Sequence, residues 1–484
     1  MNKLKLSFGV LLLGSVALAA NFAACSKSNS TGGTAGASGT AGAGTAGAGT
    51  AGAAGGESAT MANGKCVPGA FARGTPPVCA CQSDTPTVCE EACTDTTTDD
   101  ANCGACATAC GATSTCNASK CGPAAKVVLP AISGCSAMSI AISGSTIYYT
   151  DGTHGTVASV PTAGGTSTPI VSGETSPGML AITGQTLLWV STTAVMSTGD
   201  GGVPITTTTA HLRKATLPTG PATDLAIETN TNGGIMGFTL SPDASTVYYS
   251  SGTDVKSIAL SATSATPPTI VAIEQLGGVP TALGISADGK TLAYVTMING
   301  DVDVVTLGTS AASTNGNMCP ANTACCGMHD PTDPAGEALL NTNCTRVGRS
   351  QGNPFYGAVI LKNGIAYWIN DGSLDANAAT PGAAQGNYQV GTTNGGTVTA
   401  LAGTATNIYI GNSTAEAIQK AIYSAPPDGG MNPDPTSLVR AQSAPSSIAF
   451  DTTNVYWSTT VQPAAAMGTT PAVVGACTIA STAQ

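Results

Sequence analysis

Cysteine is the residue type whose number and spacing here most plainly imply chemistry. The chain holds 17 of them, and ten lie close together: Cys66, Cys79, Cys81, Cys89, Cys93, Cys103, Cys106, Cys110, Cys116 and Cys121. Four more, Cys319, Cys325, Cys326 and Cys344, fall within residues 310–352. Crowded thiols have three chemistries open to them. In an oxidising compartment they pair as disulfides, and a segment this short needs such links because its apolar core is tiny. Zinc would suit the two-residue gap between Cys103 and Cys106, but no second such pair and no nearby His completes a tetrad. A redox pair would open a helix in a βαβ setting, and none is visible. All fourteen cysteines are therefore disulfide candidates. With Cys25 set aside, the remaining sixteen are even in number, which permits complete pairing.

Other reactive residues are sparse. The three histidines, His154, His211 and His329, have no metal-ligand neighbour at helical or hairpin spacing. His329 adjoins Asp330, which reads as a solvated loop. No G-x-S-x-G elbow and no Walker A loop occurs. Charged residues are 9 % of the chain and net charge is −11, a balance that repels phosphate backbones and makes nucleic acid an unsuitable partner.

So many cysteines require an export route, and residues 1–24 supply a signal peptide. Lys3 and Lys5 precede an apolar run from Phe8 to Ala20 that is too short to span a bilayer. Two cleavage sites follow. Ala17-Leu18-Ala19 suits an ordinary signal peptidase and a plainly secreted product. Phe22-Ala23-Ala24-Cys25 resembles a bacterial lipobox, although Leu usually stands where Phe22 does. That resemblance implies lipidation of Cys25, with Ser26 after it consistent with outer-membrane sorting. Each buried methylene of the acyl chains would contribute about 0.8 kcal/mol to anchoring. Residues 25–60 follow, and within them residues 31–56 repeat Gly, Ala and Thr without charge or large apolar groups. Nothing there offsets the entropy of ordering, so a disordered tether is expected. A glycosylated stalk is the alternative, because threonines recur. Residues 61–123 form the disulfide-rich module.

Residues 124–484 repeat themselves. The unit is an apolar strand, a polar turn and a strand carrying an aromatic pair, as in SIAISGSTIYYTD (139–151) and SIAFDTTNVYWST (447–459). Seven copies are discernible, at a period of about 40 to 50 residues where insertions are absent. Ile140 and Ile142 share one strand face, and Tyr148 and Tyr149 split between faces. A second hairpin turns at Gly164-Gly165. Two hairpins per unit make a four-stranded sheet, and such sheets at this period are β-propeller blades. The last unit stops short near residue 482, so KVVLP (126–130) is expected to supply its outer strand and close the ring. The 191–233 stretch fits either two outer strands with a long loop or part of an extra blade. The 310–352 insertion lengthens the gap between the fourth and fifth units, and two disulfides would pin it.

Two resemblances accompany these patterns. DDANCGACATAC and the cysteines around it resemble a Cys-rich NCGxCxxxC repeat of exported myxobacterial-type lipoproteins. The repeat body is similar to Tyr-Trp-type and NHL-like propellers. The first implies export and disulfides, the second an all-β fold of about seven blades; neither implies an activity.

Enzymatic propellers place carboxylates or His around the central channel. Here the loops entering the inner strands, such as TSPGM (175–179) and SAPSS (443–447), carry neither. Glu174, Glu228, Glu274 and Arg440 lie just upstream and read as surface loop charges. Asp243, Asp288 and Asp451 read as turn residues. Catalytic, cofactor and metal residues are thus not expected, and a non-catalytic role is favoured. The expected protein is a lipid-anchored propeller at the outer membrane or cell surface. It is a monomer, touches the membrane through its anchor alone, and binds a protein or glycan. The alternative is a Ca-dependent propeller enzyme of lactonase or lyase type.

Overall fold

The computed structural model describes residues 70–484 apart from interruptions, the longer of which are 309–322, 327–343, 350–358, 381–387, 424–434 and 462–475. The signal segment, Cys25, the tether, Cys66 and Cys319 lie outside the described residues, as do the side chains of Cys79, Cys81, Cys89, Cys93 and Cys325.

Seven sheets of at least four strands form the blades of a propeller. Strands within a blade are named a to d from the inside outward. Blade 1 runs Ile140–Ser143, Thr146–Asp151, Thr156–Pro161 and Thr168–Ser172. The later inner strands are Pro177–Thr183, Phe238–Leu240, Pro280–Ile285, Val359–Lys362, Val398–Gly403 and Pro445–Phe450. Strand a of blade 1 packs against strand a of blades 2 and 7, so the ring is closed. Closure uses Lys126–Ser133, which pairs antiparallel with Ala476–Ala483 as strand d of blade 7. The KVVLP segment thus plays the part expected of it, covering the outer side of Ala476–Ala483 and completing blade 7 with four strands.

The period-two pattern explains the packing. Every seam between adjacent blades holds one apolar cluster, filled from facing sheets. The aromatic pair of strand b serves two seams at once. Tyr149 packs toward blade 7 and Tyr148 toward blade 2. Trp457 and Tyr456, and Trp368 and Tyr367, divide in the same way. Adjacent side chains on a strand point to opposite faces, so a single dipeptide bolts three blades together. Inner strands also approach closely. A Cβ on Gly284 would lie 2.5 Å from the Val359 carbonyl oxygen of the next blade, and one on Gly237 would strike the Thr281 carbonyl. Gly284→Ala is expected to cost about 2 kcal/mol or more, because the obstacle is backbone and the gap cannot open locally. Denaturant unfolding measures it; a cost under about 0.5 kcal/mol would mean the inner ring yields.

Two blades depart from the regular pattern. In blade 2, strands b and c are Thr186–Thr198 and Pro204–Thr216, each 13 residues long against six in blade 1. The ambiguous 191–233 stretch therefore contains two long strands and strand d, Thr223–Asn230, and no extra blade. In blade 4, the chain leaves strand c (Asp301–Thr306), adds Ala324–Cys326 as a parallel fifth strand outside blade 3, and returns as strand d, Cys344–Arg349. Cys326 and Cys344 are disulfide-linked across this excursion.

The N-terminal module contributes short hairpins, Ala70–Arg73 with Val78–Cys81, Thr87–Cys89 with Ala92–Thr94, and Ser114–Asn117 with Lys120–Pro123. The last of these packs on strand d of blade 6, Thr436–Val439.

Candidate functional site

Antiparallel order puts the b–c and d–a loops at one end of every blade and the a–b and c–d turns at the other. The b–c and d–a end holds the described ion pairs between strands and most of the buried polar side chains, and it is the candidate functional face.

The channel wall itself is neutral. The described inner strands offer aliphatic, Ser and Thr side chains and the rings of Phe238 and Phe450, with Lys362 at the end of one. Several hydroxyls join neighbouring blades. Ser139 Oγ accepts from the Leu180 amide at 3.0 Å, and Ser447 Oγ accepts from the Ile140 amide at 3.2 Å. Thr399 Oγ1 donates to the Pro445 carbonyl.

The upstream glutamates are not surface loop charges. Glu174 and Glu274 are buried and Glu228 is largely so. Each ends strand d of one blade, or just follows it, and receives the fourth residue of strand b of the next. Trp189 Nε1 donates to Glu174 at 3.0 Å, the Tyr249 hydroxyl to Glu228 at 2.8 Å, and the Tyr294 hydroxyl to Glu274 at 2.6 Å. Gln442 plays the same part for Trp457 at 2.9 Å, and the Arg349 carbonyl for Trp368 at 3.3 Å. The aromatic that fills a seam is thus also latched at the seam's rim, because a buried indole N–H or phenol needs an acceptor. Arg440 lies outside the described residues.

Cations complete two of these latches. Arg213 Nη1 stands 2.5 Å from Glu174 Oε1, its guanidinium 5.9 Å from the Trp189 ring centroid, and Ser191 also donates to Glu174. Lys256 Nζ is 2.8 Å from Glu228. Burial pushes both carboxyls up. The hydrogen bonds and the facing cation outweigh it, so both pKa values fall below the ordinary glutamate range. A depressed folded-state pKa stabilises the fold above the unfolded value, and that stability is lost as pH falls through the folded one. Glu174→Gln is therefore expected to destabilise at pH 7 by about 1–3 kcal/mol, a loss that shrinks as pH falls below the ordinary glutamate range. Denaturant titrations at pH 7 and over a series of falling pH values check this; a loss that stays constant down to the acid unfolding of the protein would contradict it.

The densest cluster lies in the seam of blades 3 and 4. Glu274, Asp301, Asp303, Arg346 and Tyr294 are all buried there. Arg346 Nη2 is 2.6 Å from Asp301 Oδ2, and its Nε is 3.9 Å from Asp303 Oδ1. Arg349 Nε reaches Asp301 Oδ1 at 3.0 Å from a half-exposed position. Glu274 and Asp303 lie close enough for the charge of each to act on the other, and neither carboxyl has water to solvate it. Burial raises both pKa values, and the neighbouring acid charges add to it, Asp301 on Glu274 and Glu274 on Asp303. The sign is opposite to that of Glu174. A raised folded pKa favours the fold below the unfolded value and costs stability as pH rises through the folded one. Asp303→Asn keeps the shape of the side chain, removes a buried titrating acid and abolishes that cost. It should stabilise the protein at pH 8 relative to wild type and be neutral near pH 3, read by denaturant midpoints at both.

Elsewhere on this face, His154 Nδ1 is 2.6 Å from Asp151, and His211 Nδ1 is 3.3 Å from Asp224. His329 and Asp330 lie outside the described residues. Asp243, Asp288 and Asp451 sit in a–b turns at the opposite end, where each carboxylate accepts from an amide two or three residues on.

Among the described residues, the group of three ligand-type side chains within 4.8 Å of one another is Cys103, Cys110 and Cys121. Their sulfurs are already committed. Cys103 bonds Cys116 and Cys110 bonds Cys121, while Cys106 is also disulfide-bonded. A further disulfide, Cys135–Cys477, joins residues 342 apart and is buried at both ends. Neither cysteine was among the sequence candidates. A signal existed, since Cys135 closely follows the closing strand and Cys477 lies on the strand it pairs with.

No family model matches the chain, and no curated protein does. Solved structures match it as an architecture. The computationally designed Ika8 protein is 14 % identical over 69 % of this chain and 84 % of that one, with a TM-score of 0.42. A catalytically inactive virginiamycin B lyase from Staphylococcus aureus with quinupristin is 12 % identical over 73 % and 98 %, TM-score 0.40. A putative 6-phosphogluconolactonase from Bacteroides uniformis is 14 % identical over 63 % and 85 %, TM-score 0.39. Likeness at this depth carries no activity over to this chain.

Proposed function

We propose that the protein is an exported lipoprotein, anchored through Cys25, that displays its propeller at the outer membrane or cell surface to bind a protein or glycan. The observation that carries the binding role is where the described carboxylates of the loop-bearing face are spent. Glu174, Glu228 and Glu274 latch seams, and Asp301 and Asp303 face Arg346, while the described inner strands offer hydroxyl, aliphatic and phenyl groups and, at the end of one, Lys362. Such a wall suits recognition by hydrogen bonds and shape. Export is supported by the disulfides, which persist in oxidising compartments. The last hairpin of the N-terminal module, Ser114–Asn117 with Lys120–Pro123, packs on strand d of blade 6.

The test is intact mass of detergent-extracted protein, with and without chelation. The expected mass is that of a chain beginning at Cys25 with acyl chains and without free thiols. The chelator is expected to leave mass and melting temperature unchanged. A tightly held divalent ion released by the chelator would move the reading to a Ca-dependent enzyme, and an unacylated chain would replace the anchor by secretion.

A further inference from the structure

The b–c hairpin of blade 2 stands out from the loop-bearing face as two paired strands. Strand a, Pro177–Thr183, pairs with strand b only as far as Ser191, and the Thr192 amide donates to the Thr175 carbonyl. Beyond that point Thr193–Thr198 pairs with strand c on one side, and among the described residues nothing pairs with its other side. Six residues at strand rise extend roughly 20 Å. Hydrogen-bonding direction alternates along a strand, so the amides and carbonyls of Ala194, Met196 and Thr198 face the open edge. Val195 is 59 % exposed and Met196 67 %.

Natural edges are blunted by lysine, proline, bulges or a covering segment. Among the described residues this one has none of these: TTAVMST carries no charge and no proline, its pairing with strand c runs without a register shift from Thr186 to Thr198, and no described segment pairs with it. Other outer edges of the same protein are covered. Ala324–Cys326 caps blade 3, and the Ser114–Pro123 hairpin packs on blade 6.

We propose that this edge pairs antiparallel with the same edge of a second copy of the chain. Three observations select that occupant. An antiparallel edge pair is self-complementary about a twofold axis, so one sequence supplies both sides. With the open-edge groups on even-numbered residues, the register placing Ala194 opposite Met196 of the second copy sets Val195 opposite its counterpart on the axis, and each side presents matching donors and acceptors. The third observation is electrostatic. A chain of net charge −11 resists self-association, yet these strands carry no charge, and the projection holds the two acidic bodies roughly 20 Å apart, beyond the ~8 Å screening length at physiological salt. The protein is then a reversible dimer joined by a continuous sheet, in place of the monomer expected from sequence. An acyl anchor that confines copies to one surface would favour it further.

Sedimentation velocity over a concentration series tests this on the mature chain with Cys25→Ser, which removes the acyl group and with it micelle-driven association. The expected result is a monomer–dimer equilibrium. Two single variants act on the edge alone: Ala194→Pro removes an outward donor, and Met196→Lys adds an edge charge. Each should raise the dissociation constant roughly tenfold or more while leaving the melting temperature within about 2 °C of the parent. A monomer up to roughly 100 µM, which corresponds to binding weaker than most specific pairs, would overturn the proposal. So would a dimer that both variants leave intact, or a monomer that instead takes up an extended peptide of unrelated sequence at this edge.

Discussion

Removing the Cys135–Cys477 disulfide by Cys135→Ala with Cys477→Ala is expected to destabilise the propeller by about 4–5 kcal/mol, the upper end of the range for a single disulfide. The reason is chain length. The bond joins residues 342 apart, so it holds together two ends of an unfolded chain that would otherwise be free across almost the whole ring. The loss of loop-closure entropy grows with the logarithm of that separation. For a domain of this size the melting temperature should fall on the order of 5 °C. The disulfide lies at the one seam where two chain ends must meet, beside the pairing of Ile132 with Cys477. The variant should therefore open first at blade 7, with faster amide exchange in Lys126–Ser133 than in the inner strands of blades 3 and 4. Calorimetry and hydrogen exchange read the two effects. An unchanged melting temperature would mean that strand pairing alone closes the ring. Because both sulfurs are buried, mild reductant applied to the folded protein should leave this bond intact.

The second large effect is expected from Arg346→Leu. The guanidinium is buried between Asp301 and Asp303, and Glu274 lies next to Asp303. Removing it strands acid groups where water cannot reach them, at a cost of about 3–5 kcal/mol. Part of that cost is relieved if the acids take up protons, so the loss should shrink as pH falls toward 4. Arg346→Leu combined with Asp301→Asn should be less damaging than the single change, since the orphaned charge is gone. Denaturant midpoints at pH 4 and pH 8 distinguish these outcomes. A loss below about 1 kcal/mol at pH 8 would show that Arg349, half exposed at 3.0 Å from Asp301, compensates by itself.

The roles of individual glutamates were the least legible part of the sequence. Glu174, Glu228 and Glu274 stand before neutral loop residues, and short-range sequence offers no reason to bury them. Their partners, Trp189, Tyr249 and Tyr294, lie on the next blade. The relation becomes visible only when strand d of one blade and strand b of the next are set side by side. Arg346 is hidden for the same reason. It belongs to an insertion in sequence and to strand d of blade 4 in space.

By itself the sequence determined the blade repeat, the all-β class, the division of each aromatic pair between faces and the borrowed closing strand. These follow from period-two alternation and turn chemistry, which act between residues close in the chain. Tertiary structure alone decided which carboxylates latch a seam, which cysteines meet across the ring, and that the blade 2 hairpin runs on past the last residue its inner strand pairs with. Those outcomes depend on contacts between distant segments, where burial converts an ordinary charge, thiol or strand edge into something specific.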